Sequence, residues 1–175
     1  TVYLPNPTWG NHNSIFKTVG LKIDTYPYWK SSTRGLDIEG LLKRFEELPE
    51  KSVILLHACA HNPTGVDPTP DQWHQIAEVM KKRNHYPLFD TAYQGFASGD
   101  LHKDAYAIRY FVKQGFQMMV TQSYSKTMGL YGERAGAFHL LADNEKTTSN
   151  VLSQLRIVVR VNYSNPPLYA MRLVL

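Results

Sequence analysis

The sequence predicts an α/β protein, a mostly parallel sheet with helices on both faces. Three observations carry that expectation. Short apolar runs of strand length alternate with longer segments whose apolar residues recur at helical spacing. One run, Ser52-Val53-Ile54-Leu55-Leu56, is apolar almost throughout, as a strand covered on both faces requires. Polar residues gather just beyond the runs, where parallel sheets present their ligand sites.

Each element has its own signal. Thr1 to Leu4 reads as a strand, and Pro5-Asn6-Pro7-Thr8-Trp9-Gly10 as a turn that carries an aromatic residue into a loop, with His12 close behind. Ile15, Val19 and Leu21 lead into an extended segment from Lys22 to Trp29. Asp37 caps a helix with apolar positions Ile38, Leu41, Leu42 and Phe45, ending near Leu48-Pro49. The strand at 52–56 empties into His57-Ala58-Cys59-Ala60-His61-Asn62-Pro63-Thr64-Gly65. Thr69, followed by Pro70 and by Gln72 three residues on, has capping-box spacing; Trp73, Ile76, Ala77 and Met80 form the buried face of its helix. Tyr86 to Asp90 is the next strand. A helix from His102 to Gly115, with Ala105, Ile108, Phe111 and Val112 as its stripe, leads to a strand from Phe116 through Ser123. Gly136 to Leu141 is a further strand and Thr147 to Val159 a further helix.

Composition narrows the function. The 175 residues suffice for one domain with a sizeable core, and 43% hydrophobic with 19% charged residues fits a folded globular chain. A formal charge of +4 without a long basic run gives little support to nucleic-acid or membrane partners. Cys59, the single cysteine, excludes an internal disulfide framework and suits a reducing, intracellular setting. No apolar stretch has membrane-spanning length. The chain opens on Thr1-Val2-Tyr3-Leu4 without methionine and ends on Leu173-Val174-Leu175, and it is expected to be a piece of a longer polypeptide.

Asn62, Asp90 and Lys126 each fall at or just after a predicted strand end, so three polar side chains converge on one sheet edge. Lys126 closes the segment Gln122-Ser123-Tyr124-Ser125-Lys126. A lysine in a partly dry site loses its charge more readily and can attack a carbonyl, although a solvated surface lysine is the ordinary alternative. His57, Cys59 and His61 alternate and would share one face of a strand, a pattern open to metal, but no fourth ligand is evident. Asn162-Tyr163-Ser164 is a glycosylation sequon in a chain without secretory features, and an accidental match is the simpler reading.

Five segments, Pro5-Asn6-Pro7-Thr8-Trp9-Gly10-Asn11-His12, His61-Asn62-Pro63-Thr64-Gly65, Asp90-Thr91-Ala92-Tyr93-Gln94-Gly95-Phe96, Ser123-Tyr124-Ser125-Lys126 and Gly129-Leu130-Tyr131-Gly132-Glu133-Arg134, resemble in that order the aspartate aminotransferase family. Arg160 and Ser164-Asn165-Pro166-Pro167 extend the resemblance. It implies fold type I, with residues 1–175 as the central part of the large, cofactor-binding domain and the flanking N-terminal segment and C-terminal small domain outside this sequence. It also implies a homodimer with shared active sites, in cytoplasm or mitochondria.

By the same resemblance, pyridoxal 5'-phosphate is the cofactor and Lys126 holds it as a Schiff base, an aldimine, then acts as a general base. Asp90 meets the pyridine nitrogen and keeps it protonated, supported by His12. Tyr93 and Asn62 hydrogen-bond the phenolic oxygen and favour its ionised form. Trp9 stacks on the ring, and Ser123 and Arg134 hold the phosphate. Arg160 reaches in from the neighbouring subunit to the distal carboxylate of a dicarboxylic substrate. Lys126, Asp90 and Tyr93 are then catalytic, while Trp9, Asn62 and Arg160 face the substrate. The residues alone leave blander roles open: a turn cap for Asp90, a turn residue for Asn62, a loop histidine for His12, a core indole for Trp9 and a helix-end cation for Arg160. The implied activity moves the amino group of aspartate to 2-oxoglutarate. An aromatic or broad-range aminotransferase is the alternative, and a noncatalytic α/β binding or assembly fragment a second. Pro7 and Pro63 resemble positions where the family has cis peptides.

Overall fold

The computed structural model describes residues 1–166 and 168–174. Six strands form one sheet: β1 (Val2–Asn6), β2 (Ile23–Pro27), β5 (Val53–His57), β6 (Tyr86–Thr91), β7 (Met118–Ser123) and β8 (Gly136–Leu141), in the order β2-β1-β5-β6-β7-β8. All neighbours are parallel except β7 and β8. A small antiparallel pair, β3 (Trp29–Lys30) with β4 (Gly35–Leu36), stands apart.

Alternation along the strands sorts the core into two layers. Tyr3, Ile54, Leu56, Phe89, Met118 and Val120 point to one face, where they pack with helices α2 (Ile38–Glu47), α3 (Pro70–Lys82) and α5 (Tyr106–Lys113). Val2, Leu4, Leu55 and Leu88 point to the other, where Phe16 of α1 (Asn11–Thr18) joins them. Helices therefore flank both faces, unequally. The larger layer holds an aromatic cluster: Phe111 is fully buried, 5.1 Å edge-on from Phe89 and 4.7 Å from Phe116. Burying each such side chain contributes about 1.5–3 kcal/mol before chain entropy is counted.

The two predicted caps form. Asp37 accepts the Gly40 N–H at 3.2 Å at the start of α2. At α3 the Thr69 hydroxyl accepts from Gln72 N–H and the Gln72 side chain accepts from Thr69 N–H, a complete capping box.

Three expectations are corrected. Residues 11–18 form α1, which the sequence does not announce: its N-cap is Gly10, with no side-chain cap, Ile15 is exposed, and only His12 is buried. The predicted helix at 102–115 is two pieces, α4 (Leu101–Asp104) and α5, because the Asp104 carboxylate turns inward. Ala107 and Phe111 take the buried places, and Val112 is exposed. The helix at 147–159 is longer, α6 (Glu145–Asn162), and α7 (Leu168–Val174) follows it unforeseen. Of the family-like segment at 164–167, Pro167 lies outside the described residues, as does the closing Leu175.

Candidate active site

The carboxyl ends of β1, β5, β6 and β7 share one edge of the sheet, and a cavity of about 230 Å3 opens there. Trp9, Asn62, Asp90, Tyr93, Ser123, Lys126 and Arg134 line it. Seven of the nine sequence-predicted site residues are thus in one wall. His12 stands behind Asp90, and Arg160 is elsewhere.

β6 places Asp90 one residue before its end, opposite His57 in the β5 register. His12, 4% exposed, brings Nε2 to 2.8 Å from Asp90 Oδ2. Thr8 Oγ1 lies 2.9 Å from His12 Nδ1 and 3.1 Å from His57 Nε2, and the Asn62 N–H reaches His57 Nδ1 at 3.4 Å. A hydroxyl has one proton, so Thr8 donates to one imidazole and accepts from the other. With neutral rings only one polarity satisfies every contact. Asn62 N–H donates to His57, His57 Nε2–H to Thr8, Thr8 O–H to His12, and His12 Nε2–H to Asp90. The row of dipoles ends on the carboxylate.

Burial keeps the His57 and His61 rings neutral. It pushes the His57 imidazole far below its ordinary range, helped by His61 and His12, and lowers His61 to about 4. Burial, with Asp104 and Asp67 nearby, raises the Cys59 thiol to about 12, so it is no nucleophile near neutrality. The alternating His57, Cys59 and His61 do not share a strand face, because β5 stops at His57. His61 stacks on Tyr28 with ring centroids 3.7 Å apart and places Nδ1 2.8 Å from the Thr64 hydroxyl. No group of histidine, cysteine and acidic side chains among the described residues is arranged to hold a metal.

Lys126 follows β7 in the turn before β8, and its Nζ lies 5.4 Å from the centre of the Tyr93 ring. Ser123 Oγ accepts the Ser125 N–H at 3.2 Å, which leaves its own proton to donate. Arg134 is held at positive φ, +54°, and gives Nη1 to Tyr131 O at 3.1 Å. It also borders an adjoining cavity of about 220 Å3 with Ser123 and Ser125. Trp9 is 41% exposed and meets His12 edge-on at 5.2 Å. Both Asn6–Pro7 and Asn62–Pro63 are cis.

Arg160 is exposed in the last turn of α6, with Nη1 2.6 Å from Ser164 Oγ, and lines none of this cavity. Asn162 of the sequon turns its amide to Val158 O at 3.0 Å. Sequence reasoning missed Thr8 and His57. Their signal was positional, since Thr8 lies four residues before His12 and His57 ends the strand beside Asp90.

A mixed sheet that gathers an amine, a backed carboxylate, a phenol and a guanidinium on its carboxyl edge is of the α/β class that binds small ligands at that edge. The chain is a member of the aminotransferase class I and II family, whose model matches residues 1–174. It is 55% identical over 174 residues to the cytoplasmic aspartate aminotransferase of Gallus gallus, covering 99% of this chain and 42% of that protein. It is also 55% identical to the mitochondrial aspartate aminotransferase of Dictyostelium discoideum, over 99% of this chain and 41% of that one. An aromatic-amino-acid aminotransferase of Burkholderia pseudomallei, solved covalently bound to pyridoxal phosphate, superposes with a TM-score of 0.92 at 41% identity. That match covers 95% of this chain and 42% of the other. The chain thus spans about two-fifths of the length of these relatives.

Proposed function

We propose that the protein is an aminotransferase that moves the amino group of aspartate to 2-oxoglutarate, giving oxaloacetate and glutamate, with pyridoxal 5'-phosphate as cofactor. Residues 1–175 are, in this reading, the central part of its cofactor-binding large domain. One observation carries it: Lys126, Asp90, Tyr93, Asn62, Ser123, Arg134 and Trp9 border a single cavity.

The donors and acceptors suit that cofactor. Asp90 Oδ2 is taken by His12 and Oδ1 has no hydrogen bond among the described residues, so a carboxylate oxygen is free for a protonated ring nitrogen. Tyr93 and Asn62 offer O–H and N–H to a phenolic oxygen. Ser123 and the Arg134 fork suit a phosphate. When bound, pyridoxal phosphate supplies a pyridinium ring that accepts the electron pair left as the substrate α-proton departs. Lys126 Nζ anchors the group and, once freed, takes up and returns that proton. Asp90 keeps the ring nitrogen protonated, and His12 holds Asp90 aimed at it. The Trp9 indole orients the ring by its face.

Arg160 supports the dicarboxylate preference. It is exposed and outside the cavity of its own chain, as suits an arginine that serves the active site of a second subunit in a homodimer. The relatives' names include cytoplasmic and mitochondrial enzymes, and we infer one of those two locations. No helix among the described residues is long and apolar enough to cross a membrane. The Burkholderia likeness favours one second reading, an aromatic or broad-range aminotransferase. Rates on aspartate and phenylalanine separate the two.

The decisive experiment is borohydride reduction of the full-length protein with pyridoxal phosphate, then peptide mapping. A pyridoxyl label on Lys126, lost in Lys126→Ala together with transamination, is expected. Full activity in Lys126→Ala would sink the mechanism.

A further inference from the structure

We infer that two carboxylates, the half-buried Asp67 and the buried Asp104, are positioning residues for Asn62 and Tyr93, each bolting from behind the loop that presents one of these donors to the cavity. The inference rests on the cofactor reading above.

The two loops are built alike. After β5, Asp67 Oδ2 accepts the Ala60 N–H at 2.6 Å and Oδ1 accepts the His61 N–H at 2.9 Å, immediately before Asn62. Ala60 is held at φ +47°, a conformation that non-glycine residues adopt at a cost, so the carboxylate fixes a backbone that would otherwise relax. After β6, the turn carrying Tyr93 is closed by Phe96 N–H to Tyr93 O at 2.8 Å. Asp104, 6% exposed, then accepts Gly95 N–H at 2.7 Å, Ala97 N–H at 3.0 Å, Ser98 N–H at 3.1 Å and the Ser98 hydroxyl at 2.6 Å.

Neither carboxylate forms an ion pair among the described residues. In place of a cation, the N–H groups of these loops face both carboxylates. Both border one small cavity of about 130 Å3, with Lys103 and Cys59 in its wall. Cys59 borders the candidate site as well, so a single residue separates the two bolts from the chemistry. Asp104 is the last residue of α4, and the chain breaks at Ala105 before α5 begins.

The test uses the full-length protein loaded with pyridoxal phosphate. Asp67→Asn and Asp104→Asn keep the shape but set an NH2 group against N–H donors. Each is expected to raise the pH midpoint of the bound cofactor's visible absorbance by about one unit, as poorly aimed donors stabilise the phenolic anion less. Asp104→Asn is expected to speed hydrogen exchange at Gly95, Ala97 and Ser98, and to add no midpoint shift in a Tyr93→Phe background. Midpoints unmoved in both variants, or an equal shift with and without the Tyr93 hydroxyl, overturn the inference. If Asp104→Asn does not fold, Ser98→Ala decides: it removes the hydroxyl contacts to Asp104 and Asp100 and keeps the N–H bonds to Asp104, and an unmoved midpoint overturns. The Lys126 borohydride label in the parent protein separates the two proposals. No label overturns both, whereas a label with unmoved midpoints overturns this one alone.

Discussion

His12 and Asp90 lie 78 residues apart in sequence, yet the His12 Nε2 is 2.8 Å from Asp90 Oδ2 at the edge of the sheet. The imidazole is buried and the carboxylate is 24% exposed, so the pair has a dry side and a side toward the cavity. We predict that His12→Ala, which strands that oxygen, weakens pyridoxal phosphate binding about 10- to 100-fold, the equivalent of one charged hydrogen bond of about 1.5–3 kcal/mol. Titrating the apoprotein with cofactor measures it, and unchanged affinity would show that Asp90 needs no support.

Acid should destabilise the fold through His57 and His61. Each has a folded pKa below its ordinary 6.5, so the unfolded chain takes the proton first. For His61 the stability gained by staying neutral is complete above about 6.5, falls as the pH drops toward about 4, and changes no further below that. Asp67, raised by burial, acts in the opposite sense. The expected outcome is a urea midpoint lower at pH 4.5 than at pH 7.5, with a smaller fall in His61→Phe, which keeps a ring against Tyr28. Equal falls in the two proteins would remove His61 from the account.

Phe111 anchors the larger core layer, with Phe89 and Trp73 edge-on to its ring. Phe111→Ala is predicted to cost about 3–5 kcal/mol, read from urea unfolding. A loss below about 1 kcal/mol would mean that the cluster collapses into the space.

A Cβ on Gly136 would stand 2.7 Å from the Gln122 carbonyl oxygen, a backbone atom in the facing strand. Gly136 pairs with Ser123, so the clash falls where β7 enters the site. We predict that Gly136→Ala destabilises by about 1–3 kcal/mol and weakens cofactor binding as well. Lost stability with intact binding would uncouple the strand pair from Ser123.

Much of this was legible in the sequence for definite reasons. Thr69 and Gln72 name a helix start because a capping box is local chemistry, and Asn62, Asp90 and Lys126 follow apolar runs because strand ends are where a parallel sheet meets solvent. α1 was not legible, since its only buried residue is a histidine whose partner lies in β6, far along the sequence. The break at Ala105 was hidden too. Nothing in the periodicity of 102–115 reveals that Asp104 has acceptors to spend on a loop before it.

Because β8 runs against β7, its beginning and not its end reaches the edge where Lys126 lies. The amine and the guanidinium of Arg134 are therefore carried by one short return between two strands, whereas Asn62 arrives on the loop after β5 and Asp90 within β6. In the proposed reading, anchor and phosphate clamp thus make a single mechanical cartridge. A residue inserted between positions 126 and 134 would change the span between them directly, while lengthening any other loop would leave that span untouched.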